Sequence, residues 1–266
     1  MKTANKQKIK AGILQFDVKL SDIEANLVTV VEKLRILGKQ GVDLAVLPEL
    51  WSCGFDHDRL VSHAEKTPDI IDILSKEAAR LKMIITGSLP ELLDNAVFNT
   101  LYVIDKDGSI AGFYRKLHLF SLTDENKYFC AGNRAVVCET SAGFLGLMIC
   151  YDLRFPELCR TLALKDAGIV IVSAQWPKSR INHWNILLSA RAVENQLYIV
   201  AANRCGSDGE DEYGGCSQIV SPGGNLLLNA KNNECAMAAV LDLDEITKFR
   251  KQIPCLNERL PDAYIT

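Results

Sequence analysis

Three reactive side chains stand just behind short apolar runs of strand length. Glu49 follows residues 44–47, Lys116 follows residues 110–114 and Cys150 follows residues 144–149. Together these groups could carry out nucleophilic acyl transfer. A thiol attacks a carbonyl or nitrile carbon as its thiolate, and free cysteine, with a pKa of about 8.5, is mostly protonated at neutral pH. A carboxylate held beside it can take the proton as general base. An ammonium group can stabilise both the thiolate and the anion that develops at the attacked centre. Glutamate, lysine and cysteine thus supply base, electrostatic clamp and nucleophile with no histidine or metal. Each residue alone has a plainer reading. Glu49 behind Pro48 would be a solvated loop acid, Lys116 beside Arg115 a surface charge on an edge strand, and Cys150 a packed core thiol. Their common position at strand exits favours the chemical reading, because open α/β sheets bind ligands there. Tyr151, Asp152 and Arg154 behind the cysteine also argue against a sealed core, since charges are rarely buried unpaired.

The elements that must position these groups follow from periodicity and punctuation. Residues 9–16 read as a first strand. Ser21-Asp22-Ile23-Glu24 has the form of a capping box and opens a helix to residue 37, with Leu27, Val30, Val31 and Leu34 on one face. Residues 44–47 form a short buried strand. Thr67-Pro68 starts a second helix to residue 81, and residues 83–88 return as a strand. Lys106-Asp107-Gly108-Ser109 is the turn of a hairpin between residues 98–105 and 110–114. A polar loop over residues 121–134 precedes the strand that ends at Cys150, and Pro156 opens the helix behind it, to residue 165. A strand over 169–173, a helix over 182–196 and a strand over 198–203 follow. Residues 207–215 are a Gly- and acid-rich loop, expected to be mobile. Late strands are expected over 216–220, 225–228 and 236–241, with a closing helix over 242–251. Strands alternating with helices early and hairpins late predict one α/β domain over residues 1–266, with the three reactive strands in a single mixed sheet.

Composition narrows the function classes. Hydrophobic residues make up 48% and charged residues 24%, enough for an ordinary core and unlike a disordered chain. A net charge of −3 leaves no electrostatic footprint for nucleic acid. The longest apolar runs, such as residues 169–172, fall far short of the roughly 18 residues of a membrane span. The start, MKTANKQKIK, is basic but lacks the apolar region and cleavage site of a signal peptide. Nine cysteines without a C-x-x-C pair fit neither a disulfide framework nor a zinc site, and predict a reducing, cytoplasmic location. Cys53, Cys130, Cys138, Cys159, Cys205, Cys216, Cys235 and Cys255 are expected to be packing residues. His57 and His63 lack metal-ligand spacing, and His118 and His183 fall in separate stretches; a Cys–His pairing through His118 stays open. No P-loop, dinucleotide fingerprint or nucleophile-elbow motif is present, so no cofactor is implied.

The stretches VLPELW (residues 46–51), YRKLHLF (residues 114–120) and LMICYDLRFPEL (residues 147–158) resemble the three signatures of the nitrilase superfamily of carbon–nitrogen hydrolases. They occur in the family's order, and the resemblance runs over nearly the whole chain. It implies a four-layer αββα sandwich with mixed sheets whose subunits pair as a homodimer through the helical face. It also implies Glu49 as general base, Lys116 as charge stabiliser and Cys150 as nucleophile, the backbone N–H of Tyr151 joining Lys116 at the oxyanion. The family often carries a second glutamate after the lysine signature. In DENKYFCAGN the matching position is Glu125, with Asp124 beside it as the rival.

Three further stretches, residues 174–184, 190–209 and 212–224, resemble the branch of bacterial amidases that contains the ω-amidases. Those release ammonia from the terminal amide of short α-keto acids such as 2-oxoglutaramate. A small pocket walled by Trp51, Phe55 and Trp176 would suit such a small-molecule substrate. Its carboxylate would need a cation, for which Arg154 is nearest in sequence unless it pairs with Asp152 or Glu157. The expectation is a cysteine-dependent amidohydrolase working through a thioester, with no nucleic-acid or membrane partner. The alternatives are a sister amidase (for deaminated glutathione, an N-carbamoyl amine or a nitrile) and a catalytically silent scaffold of the same fold.

Overall fold

Side chains along the first strand divide between two apolar layers, as a period of two requires. In β1 (Lys8–Gln15), Ile9, Ala11 and Ile13 join the core between two sheets, while Leu14 turns to the opposite face with Phe16 behind it. That opposite face is covered by α1 (Ile23–Lys39), and by α3, introduced below. The computed structural model describes residues 8–209 and 211–264; the basic start of the chain and Glu210 of the acid-rich loop lie outside the described residues.

The chain continues through β2 (Leu44–Val46), α2 (Leu60–Ala64), α3 (Thr67–Leu81), β3 (Ile84–Leu93), β4 (Ala96–Ile104) and β5 (Ile110–Arg115). After a loop bearing α4 (Glu125–Tyr128) come β6 (Val137–Thr140), β7 (Gly143–Ile149), a 3-10 turn over Cys150–Arg154, α5 (Pro156–Leu164), β8 (Ile169–Ala174), α6 (Ile181–Asn195) and β9 (Tyr198–Asn203). The last elements are β10 (Cys205–Ser207), β11 (Glu212–Gly214), β12 (Gln218–Val220), β13 (Leu226–Asn229), β14 (Cys235–Asp242) and α7 (Asp244–Gln252). β1 to β5 form one six-stranded sheet with β14 at its edge, in the order β14-β1-β2-β3-β4-β5; the second six-stranded sheet runs β13-β12-β9-β8-β7-β6. With α1 and α3 outside one sheet and α5 and α6 outside the other, the layers stack α-β-β-α.

Several expectations are corrected. The reactive strands lie in two sheets, not one: β2 and β5 belong to the first and β7 to the second. Periodicity shows which face of a strand is buried but not which strand it pairs with, so the reading from sequence could not separate them. The helix cap of α1 is Asp22, whose carboxylate accepts from the Ala25 N–H at 3.0 Å, and not Ser21, which takes φ 62° and turns its hydroxyl to Asp56. Residues 207–215, expected as a loop, contribute β11 and the end of β10, which pair as a hairpin. The polar loop over 121–134 contains α4. Of the cysteines expected to pack, Cys53, Cys138, Cys159 and Cys205 are buried; Cys216, Cys235 and Cys255 are half-buried and Cys130 is exposed. Among the described residues, no helix is long and apolar enough to cross a membrane.

Candidate active site

Glu49 sits where the chain leaves β2 between the two sheets. Its surroundings are fixed from both sides: the Ser173 hydroxyl donates to the Leu47 carbonyl at 2.8 Å, and the Leu50 N–H donates to Ser88 Oγ at 2.8 Å. The Glu49 side chain is fully buried. Its Oε1 accepts from Lys116 Nζ and from Asn99 Nδ2, both at 2.8 Å, and Oε2 accepts from the Gln175 backbone N–H at 3.0 Å.

Lys116 follows β5 directly, and its backbone N–H donates to the Asn99 carbonyl at 2.9 Å, continuing the ladder beyond the strand. Nζ donates to both oxygens of Glu125, at 2.8 and 2.9 Å. With the bond to Glu49, all three N–H bonds of the ammonium are used. Glu125 is held in turn by the Phe120 N–H at 2.7 Å. Asp124, its rival in the sequence, is exposed and pairs with Lys127 at 2.9 Å, away from the lysine. Gly132 lets the returning loop pass against β5: a Cβ there would stand 2.2 Å from the Arg115 carbonyl oxygen, so any side chain would push that loop from the lysine.

Cys150 stands at the turn between β7 and α5 with φ 45°, a left-handed backbone that a non-glycine residue takes at a cost of about 1–2 kcal/mol. Asp152 holds that turn. Its buried carboxylate accepts from the Ile149 N–H (2.9 Å), the Tyr114 hydroxyl (2.8 Å), the His118 N–H (3.1 Å) and His118 Nδ1 (2.7 Å). One carboxylate thereby ties the lysine stretch to the cysteine stretch. His118 gives Nδ1 to Asp152 and stacks on Phe155 at 3.6 Å, and among the described residues no hydrogen bond joins it to Cys150.

The Cys150 thiol and the Glu49 carboxylate lie close enough for each to shift the other's proton affinity. Burial raises the proton affinity of Glu49, and its other neighbours pull both ways, Lys116 down and Glu125 up, leaving it above the usual carboxylate range. Burial and the Glu49 charge push the Cys150 thiol well above its ordinary value, against the pull of Lys116. Burial alone would lower Lys116; the charges of Glu125 and Glu49 outweigh it and hold the ammonium form. At rest the cluster is therefore a neutral thiol beside a base of enhanced proton affinity, with a permanent cation next to both.

A cavity of about 700 Å³ opens over this cluster, with Cys150, Lys116, Glu125 and Gln175 in its lining. Tyr151, Phe55, Trp176 and Arg154 are also in its wall, so the structure brings these residues of the sequence reading to one place. Trp51 is the exception. Leu50 takes φ 40° and the chain turns so that Trp51 packs over Gly87 in the core under α1 and α3, with no exposed surface. Arg154 pairs with neither Asp152 nor Glu157; its guanidinium lies 4.7 Å from the centre of the Trp176 ring, with Nη1 3.5 Å from His183 Nδ1. Reading the sequence missed Asn99, Gln175 and the role of Asp152. Asn99 carried a usable signal: an amide inside the largely apolar run of β4, fully buried, must serve a polar partner.

Residues 10–251 match the carbon–nitrogen hydrolase family. The chain belongs to that family. As a carbon–nitrogen hydrolase it is an enzyme acting on carbon–nitrogen bonds other than peptide bonds. It is 37% identical to a hydrolase encoded in the agr operon of Staphylococcus lugdunensis, over 86% of this chain and 100% of the relative. It is 36% identical to a 2-oxoglutaramate amidase of Bacillus subtilis, over 94% of this chain and 97% of that one. A solved carbon–nitrogen hydrolase from Helicobacter pylori superposes with a TM-score of 0.91 at 28% identity, covering 97% of each chain. The αββα layering of this hydrolase is thus the nitrilase-superfamily fold.

Proposed function

We propose that this hydrolase is an ω-amidase that cleaves the terminal amide of a small carboxylate-bearing substrate, of the 2-oxoglutaramate type, to acid and ammonia. The observation that carries the reading is the pairing, in one cavity, of the Cys150–Glu49–Lys116 cluster with Arg154, a guanidinium that has no ion-pair partner among the described residues. Such a fork matches a carboxylate bidentately. The 36% identity to a 2-oxoglutaramate amidase over 94% of the chain supports it.

In this reading Glu49 takes the Cys150 proton as the sulfur bonds to the amide carbon. The negative charge moves from carboxylate to substrate oxygen, so the buried cluster keeps its net charge and no new ion is created in a low-dielectric site. Neutralised Glu49 competes less for Lys116, and the N–H it held turns to the oxyanion beside the backbone N–H of Tyr151. Glu125 keeps the other two lysine N–H bonds and so fixes the ammonium. Glu49 returns the proton to the leaving nitrogen, the carbon–nitrogen bond breaks, and ammonia departs from the thioester. Water, deprotonated by the same carboxylate, then hydrolyses the thioester and regenerates the thiol. Phe55 and Trp176 wall the acyl chain while Arg154 holds its carboxylate.

A second reading, a sister-branch amidase for a bulkier amide, is favoured by the cavity volume of about 700 Å³, more than a five-carbon amide fills. The test is ammonia release from 2-oxoglutaramate, glutamine, deaminated glutathione, an N-carbamoyl amine and a simple nitrile, with Cys150→Ala as control. Turnover of the keto-acid amide, abolished in the variant, is the expected result. Turnover of deaminated glutathione instead supports the second reading, and ammonia release by Cys150→Ala would overturn the mechanism. We also take the enzyme to be cytoplasmic, since all nine cysteines are free, and to pair through the α6 face, where Ile186 and Val193 are exposed.

A further inference from the structure

Gln175 makes two bonds to Glu49. Its backbone N–H donates to the carboxylate at 3.0 Å, and its side-chain Nε2 donates to the Glu49 carbonyl at 2.8 Å. The second bond requires the amide to be turned with nitrogen towards Glu49 and oxygen away. That orientation is imposed by Arg204, the residue after β9, whose Nη1 donates to Gln175 Oε1 at 2.9 Å. A guanidinium carries donors only, so it accepts no other orientation of its amide partner.

Arg204 is fully buried. Its Nη2 reaches Asp17 at 3.3 Å and its Nη1 also reaches Asp208 at 3.3 Å; its guanidinium lies 4.2 Å from the centre of the Tyr213 ring. Tyr213 donates to the same Asp208 carboxylate at 2.6 Å, and both residues line the cavity, Asp208 just after β10 and Tyr213 in β11. A buried ion network of this kind is weak evidence for stability, because well-packed apolar side chains often do as well. A positional role explains it better.

We propose that Arg204 is a positioning residue for the Glu49 base, acting through the Gln175 amide and joining the β10–β11 hairpin at the cavity rim to it. Without the guanidinium the amide oxygen loses the partner that anchors it, so the side chain no longer holds the Glu49 carbonyl in a fixed place. The Glu49 backbone then shifts, and the carboxylate leaves the thiol. The inference rests on Glu49 acting as the base, as proposed above, but not on which amide is the substrate.

Two readouts separate this role from general loosening. One is steady-state turnover of whichever amide the wild-type enzyme hydrolyses. The other, needing no substrate, is the pH profile of Cys150 alkylation by iodoacetamide, followed by mass spectrometry. Glu49 opposes ionisation of the thiol, so its displacement moves the alkylation midpoint to lower pH while turnover falls for want of a base. Arg204→Met is expected to lower kcat by about 100-fold with KM nearly unchanged, and to lower that midpoint. Arg204→Lys, which keeps a donor-only cation, recovers part of the loss. Gln175→Met leaves the arginine with Asp17 and Asp208 and should show the same pair of effects, which covers the case of Arg204→Met failing to fold. A midpoint unmoved in folded Gln175→Met, whatever happens to kcat, would overturn the proposal.

Discussion

At the scale of single residues, the site depends on a carboxylate whose proton affinity is raised by burial next to a thiol raised by the same burial. A base works only when ionised, and the folded pKa of Glu49 lies above the ordinary glutamate value of about 4.3. Activity is therefore lost as the pH falls through that raised value, at a higher pH than a solvated glutamate would give. A profile of kcat/KM against pH tests this; an acid limb at the ordinary carboxylate value would contradict it. Glu49→Gln keeps the shape but not the base, and should cost about 10²–10⁴ in kcat while leaving the fold intact. At this scale the sequence was informative. Glu49, Lys116 and Cys150 were legible as candidates, because reactive side chains at strand exits have few plain explanations in combination; Glu125 was reached through the family resemblance alone. Trp51 was misread, since nothing in its neighbours announces that Leu50 takes φ 40° and directs the indole inward.

At the scale of elements, the parts are held in register by polar residues that belong to no reactive group. Asp152 joins Tyr114 at the end of β5, His118 in the following loop and Ile149 at the end of β7. Asp152→Asn removes a charge that accepts four hydrogen bonds and sets an NH2 group against a donor. It should cost about 3 kcal/mol by breaking a buried network, and lower kcat because Lys116 and Cys150 are no longer tied together. Chemical denaturation monitored by fluorescence, alongside turnover of the folded fraction, measures both. Equal stability of variant and parent would show that the network is dispensable. The long helices and most strands were legible, since each carries its own period, whereas the short α2 and α4 were not. The β10–β11 hairpin was not, because Ser207 to Gly215 lacks an alternating apolar face, and its strands pair with each other and, at Tyr213, with Pro177.

At the scale of the whole molecule, the two sheets repeat one pattern. Read β14-β1-β2-β3-β4-β5 and β6-β7-β8-β9-β12-β13, both run antiparallel, parallel, parallel, antiparallel, antiparallel. The parallel strands of both sheets deliver their exits to the site: β2 brings Glu49, β7 brings Cys150 and β8 brings Gln175. What joins the sheets is polar as well as apolar. Gln15 on β1 accepts from the Ser217 N–H at 2.9 Å and Ser217 Oγ at 2.8 Å, and donates to the carbonyls of Lys231 and Asn233. Gln15→Leu strands these partners and should cost about 3 kcal/mol, lowering Tm by about 8 °C in a thermal melt. An unchanged Tm would mean that apolar contact between the sheets suffices.

The sequence by itself determined the chemistry on offer and the kind of element that carries each group, because side-chain identity and local period are properties of a short stretch. It also carried the family signatures, whose order survives in one dimension. Only the tertiary structure decided that the base and the nucleophile come from different sheets, that Glu125 rather than Asp124 meets the lysine, and that Asn99, Gln175 and Arg204 surround the base. These are contacts between residues up to 126 positions apart, as in the Gln175–Glu49 bonds. Partners so distant are chosen by strand pairing and sheet packing, and neither is written in the period of any single strand.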